Sequence, residues 1–108
     1  GCEGIPERFE AAHVLRHLMR IVELPGFQRG FAKLSKPLQE KTWYQLHAFF
    51  DHIGSPAKPK SLRLKKLPHG NFEISVNMAL RILFQLHGDA IVLVLLGDHE
   101  DVRRYMRR

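Results

Sequence analysis

The stretch Asn71 to His99, NFEISVNMALRILFQLHGDAIVLVLLGDH, decides the fold. Phe72, Ile74 and Val76 alternate with Glu73, Ser75 and Asn77, the two-residue period of a half-buried strand. From Ala79 to His87 the alternation resumes, with Leu80, Ile82, Phe84 and Leu86 on one face. Ala79, Arg81, Leu83, Gln85 and His87 fall on the other. His87-Gly88-Asp89 is a turn signal, because glycine supplies positive φ and aspartate bonds its own backbone. Ala90 to Leu96 reads AIVLVLL, apolar on both faces, as a strand with neighbours on both sides and cover above and below requires. Three short strands joined by two tight turns form an antiparallel meander.

Strand parity then assigns the faces. With Phe72, Ile74, Val76, Leu80, Ile82 and Phe84 toward the core, Glu73, Ser75, Asn77 and Arg81 share the opposite, open face. On that reading Arg81 points away from the core, and its removal costs little stability. The third strand ends at Gly97, so His99 emerges at the rim of the sheet. A carboxylate, a guanidinium and a nearby imidazole on one polar face form a candidate for chemistry; a plain solvated sheet face is the other reading of the same pattern.

Upstream, Met19 to Leu24 (MRIVEL) reads as a strand broken by Pro25-Gly26. Phe27, Phe31 and Leu34 have helical spacing. Ser35-Lys36-Pro37 is a helix start, and Leu38, Trp43, Leu46, Phe49, Phe50 and Ile53 continue as a stripe suited to a helix lying on the sheet. His47 and His52 sit on that helix without a third matching ligand, so no metal is expected. Gly54 to Pro59 is a loop by composition. It leads into a basic segment in which Lys58, Lys60, Arg63, Lys65 and Lys66 are tied to the core by Leu62, Leu64 and Leu67. A second basic cluster, Arg103, Arg104, Arg107 and Arg108, surrounds Tyr105 on a last turn or short helix. The expected fold is a small single α+β domain over residues 19–108. Its antiparallel twisted sheet is built from the N-terminal strand and the meander, with two helices packed on one face. Residues 1–18 stand apart as an extension, read either as a short amphipathic helix from Pro6 or as a non-native leader.

The chain has 108 residues and a formal net charge of +6, with a sequence pI near 9.9. This excess favours polyanionic partners, nucleic acid first. One cysteine, Cys2, rules out an internal disulfide framework. No apolar run approaches the roughly 20 residues of a membrane helix. Glu7, Arg8, Glu10, His13, Arg16 and His17 interrupt any signal-peptide core. A cytoplasmic protein without membrane partner or cofactor is expected.

The order of strand, two helices, basic connector and meander ending in Gly-x-His resembles the RelE/ParE superfamily of bacterial toxins, most of all its RelE-like ribosome-dependent mRNA interferases. The resemblance runs from Met19 to Arg108 and rests on three segments: MRIVELPGFQRGFAKLSKPLQEKTWYQL, SLRLKKLPHGNFEISVN and ALRILFQLHGDAIVLVLLGDHEDVRRY. It implies that Arg81 lies near the scissile phosphate, that His99 follows the last strand as a catalytic group, and that Tyr105 completes the site. It also implies a cognate antitoxin, the ribosome and mRNA as partners. The chain departs from the family on the first meander strand, where several members place lysines and this sequence has Glu73, Ser75 and Asn77.

The residues suit metal-independent RNA cleavage on physical grounds. A 2′-hydroxyl attacks the adjacent phosphate once a base removes its proton, a cation stabilises the phosphorane and an acid protonates the leaving oxygen. A guanidinium such as that of Arg81 matches phosphate oxygens in bidentate fashion. Imidazoles ordinarily titrate near pH 6.5, about the range in which base and acid exchange roles. Glu73 either acts as the base or orients Arg81 by pairing with it, and Tyr105 stacks on a base or donates a hydrogen bond. Lys58, Lys60, Arg63, Lys65, Lys66, Arg103 and Arg104 would track phosphates. Two other functions compete: a binding protein of the same fold, inhibiting DNA gyrase as ParE does or holding only an antitoxin, and a stand-alone RNA-binding module.

Overall fold

The computed structural model describes residues 20–53 and 63–107. The extension 1–18 and the boundary at Met19 lie outside them. The elements are β1 (Arg20–Glu23), α1 (Pro25–Ala32), α2 (Lys36–Ile53), β2 (Leu64–Leu67), β3 (Asn71–Ser75), β4 (Arg81–His87), β5 (Ala90–Gly97) and α3 (His99–Met106). They form one sheet in the order β1-β5-β4-β3-β2.

The sheet is mostly antiparallel, as the meander implies, with β1 as the exception. β1 runs parallel to β5, Ile21 opposite Ile91. The hairpins from β2 to β5 alternate in direction, and the two helices return the chain to the far edge, so β5 comes to match β1. Periodicity within a strand carries no information about that pairing. The basic connector is also more ordered than its composition suggests. Leu64–Leu67 is an edge strand paired with β3, Lys65 opposite Glu73 and Lys66 opposite Phe72. Its two lysines suit an edge, where charge discourages pairing with another chain.

Helices α1 and α2 cover one face. Phe27, Leu46, Phe49 and Phe50 pack on Ile74, Val76, Ile82, Phe84, Ile91, Leu93 and Leu96 in the main core. Phe49 and Phe84 have ring centroids 4.8 Å apart, and Phe72 stacks on Phe84 at 5.4 Å. Helix α1 sits unusually close to β5. A Cβ at Gly26 would lie 2.8 Å from the Val94 carbonyl oxygen, and one at Gly30 would collide with that of Leu96. Gln39 Nε2 donates to the Phe31 carbonyl (3.0 Å), satisfying an acceptor at the end of α1.

The opposite face is not open, which corrects the parity reading. Helix α3 folds back over it, and Leu83, Val94 and Val102 form a second buried cluster flanked by Leu67, Leu95, Tyr105 and Met106. A register shift makes this possible. Leu83 pairs with Leu95 but Phe84 with Leu93, leaving Val94 as an extra residue in β5. The continuous apolar run of β5 thus meets cover on both faces. Among the described residues no helix is long and apolar enough to cross a membrane.

Candidate nucleic-acid interface

Where α3 crosses the sheet, it leaves a cleft of about 530 Å³ between itself and the β2–β3 hairpin. Lys65, His69, Glu73, His99, Arg103 and Arg107 line it, over a floor that includes Leu67, Val102 and Met106. His99 is the first residue of α3 and exposed. Its position is set by a capping box: Asp98 Oδ1 accepts from the Asp101 N–H (2.8 Å), and Asp101 Oδ2 accepts from the Asp98 N–H (3.0 Å). The Asp98 N–H bond, together with the Arg104 guanidinium 3.0 Å from Asp101 Oδ1, holds the Asp101 carboxyl below its ordinary value of 3.8. On the other wall His69 takes φ = 60°, a left-handed conformation uncommon for a side chain other than glycine.

Arg81 and Glu73 form an ion pair, Nε to Oε2 3.0 Å, with side chains only 19% and 7% exposed. Arg81 Nη1 also donates to the Asn77 carbonyl at 2.8 Å. Two fixed partners orient the guanidinium. Glu73 is buried, not on an open face, and of its two sequence readings the geometry is that of the orienting partner. Glu73 faces the α3 cleft. Arg81 lines a second cleft of about 600 Å³ at the far end of β3, with Lys41, Tyr44, Arg63, Asn77 and Met78. Arg81 pairs with Gly97 across the sheet, so His99 begins only two residues beyond that register position.

No protein-family model matches the sequence, and no relative was found among curated proteins. Solved structures do resemble it. A chain of the Escherichia coli DinJ–YafQ toxin–antitoxin complex superposes with a TM-score of 0.62 at 14% identity, covering 79% of this chain and 97% of that one. A chain of the RelB–RelE antitoxin–toxin complex from Methanococcus jannaschii gives 0.58 at 15%, covering 78% and 96%. The YoeB/ParE toxin from Agrobacterium tumefaciens gives 0.57 at 12%, covering 75% and 99%. The chain has the RelE/ParE toxin fold.

On this RelE/ParE frame the candidate residues separate into groups. Lys65, Glu73, His99 and Arg103 meet in one cleft, with Arg81 bound to its edge through Glu73. Tyr105 is half-buried against the Leu83–Val94–Val102 cluster and does not line the cleft. Arg104 is engaged with Asp101 on the exposed side of α3. Arg63 belongs to the second cleft, and Lys66 is exposed on the strand face opposite Lys65. Lys58 and Lys60 lie outside the described residues. His69 was missed because Pro68-His69-Gly70 reads only as a turn. The available signal was a titratable side chain at a turn position that glycine or asparagine usually takes. Among the described residues no group of three metal-ligating side chains converges.

Proposed function

We propose that this chain is the toxin of a toxin–antitoxin pair, acting as a ribosome-associated endoribonuclease on mRNA. The observation that carries the reading is the α3 cleft itself. Two imidazoles, His69 and His99, face one cavity beside Lys65 and Arg103, and Arg81, in the adjoining cleft, is ion-paired to the Glu73 that walls this one. The family lysines are absent, and this arrangement offers replacements. His99, next to the Arg81 register position, takes the proton of the 2′-hydroxyl. The 2′-oxygen bonds to phosphorus, Arg81 and Lys65 stabilise the charge on the phosphorane, and the bond to the 5′-oxygen breaks. His69 gives that oxygen a proton, leaving a 2′,3′-cyclic phosphate and a 5′-hydroxyl. Glu73 holds Arg81 in place. An antitoxin segment laid over the sheet and helices would silence the toxin; the RelB–RelE and DinJ–YafQ structures that share the fold are toxin–antitoxin complexes.

A second reading, a gyrase inhibitor or a toxin that retains only its antitoxin contacts, is favoured by one observation: among the described residues the one carboxylate lining the cleft, Glu73, is committed to Arg81. Inducible expression, alone and with the neighbouring gene, separates the two. Growth arrest with cuts in translated mRNA, relieved by the neighbour, supports the nuclease. Arrest with intact mRNA and damaged DNA supports gyrase as the target.

A further inference from the structure

We infer that the second cleft is a binding site for the flanking nucleotides of a single-stranded RNA whose reacting phosphate lies in the α3 cleft. This rests on the nuclease reading only for what occupies the first cleft. The two cavities are joined by one ion pair. Glu73 is a wall of the first, Arg81 is a wall of the second, and their side chains touch at 3.0 Å. Glu73 and Ser75 follow each other along one face of β3, so a strand leaving His99 along β3 enters the second cleft directly.

The walls have the chemistry of a single-stranded nucleic-acid path. Lys41, Arg63 and Arg81 contribute three positive charges, and among the described residues no acidic side chain lines the cleft. Tyr44 is 65% exposed on α2, and Met78 is 94% exposed on the β3–β4 connection. A tyrosine ring set among cations is the platform on which a base stacks while its phosphates pair. Gln45 fixes this geometry, its Nε2 donating to the Ser75 carbonyl at 2.9 Å and tying α2 to the end of β3. A protein partner would have to meet the same cations with carboxylates. A duplex offers no unstacked base to Tyr44.

The test uses 2′-O-methyl oligoribonucleotides, which bind but cannot be cut, in a short form of about four and a long form of about ten nucleotides, spanning the usual site sizes. Fluorescence anisotropy is measured for the whole protein and for Tyr44→Ala, Tyr44→Phe, Lys41→Gln and Arg63→Gln, with Lys36→Gln on the same helix as control. All four positions are exposed and do not support the core. Tyr44→Ala should weaken the long form roughly tenfold, leave the short form unchanged, and be rescued by Tyr44→Phe. Lys41→Gln and Arg63→Gln should each lower the salt slope for the long form by about 0.7. Equal loss for long and short forms, no loss at all, or the same dependence with a hairpin duplex overturns the inference. If these variants behave as expected while the wild type cuts no translated mRNA, the nuclease reading falls and the binding site stands.

Discussion

Arg81 Nε lies 3.0 Å from Glu73 Oε2, in a pair with little contact with water. Each group would be costly alone, because a nearly buried carboxylate without a counter-charge must pay its desolvation unaided. The pair therefore couples stability to the candidate site.

Replacing Arg81 with alanine should cost about 3 kcal/mol or more of folding stability, contrary to what an outward-facing arginine implies. Adding Glu73→Gln to that variant should recover most of the loss, since the amide carries no charge to strand. Urea unfolding of both single variants and the double variant measures the coupling. Additive losses would show that the pair contributes nothing.

His99 behaves oppositely. It is exposed at the start of α3, so His99→Ala should change stability by no more than about 0.5 kcal/mol. Cleavage of translated mRNA should fall about a hundredfold or more. His69→Ala should do the same to the rate. Wild-type rates in both variants would remove the imidazoles from the mechanism.

Gly30 is a packing position. Alanine there gains helix propensity worth about 1 kcal/mol. Its Cβ, however, meets the carbonyl oxygen of Leu96, backbone that cannot swing aside. Overpacking wins, and Gly30→Ala should be less stable by about 2 kcal/mol. A higher melting temperature would mean that α1 lifts off β5 at little cost.

Asp101 supplies a pH dependence with a definite sign. Its carboxyl is held below the ordinary 3.8, by the Asp98 backbone bond first and Arg104 second. The folded state therefore binds the proton less readily than the unfolded one. The stabilisation it brings is present above pH 3.8 and disappears as pH falls below that value. Asp101→Asn should be less stable than wild type at neutral pH, and the two unfolding curves should converge in acid. Curves that stay parallel would assign the capping box no ionic component.

The meander was readable from residues 71–99 because a two-residue period and the His87-Gly88-Asp89 turn are local properties. Gly88 indeed takes φ = 59°. The helix start at Ser35-Lys36-Pro37 and the both-sides burial of Ala90–Leu96 were legible for the same reason: capping and apolar density act over a few bonds. Three features needed the tertiary structure. The parallel match of β1 to β5 joins residues about 70 positions apart, and nothing within either strand encodes direction. The cover over Leu83 and Val94 depends on the fold-back of a short helix half of whose residues are charged. Its one buried residue, Val102, shows the purpose only once the sheet lies beneath it. The ion pair of Arg81 with Glu73 turned a face that parity left open into a nearly dry one, because burial is a property of what packs above a strand. Sequence alone determined which side chains point the same way; only the packed chain decided which of them meet water.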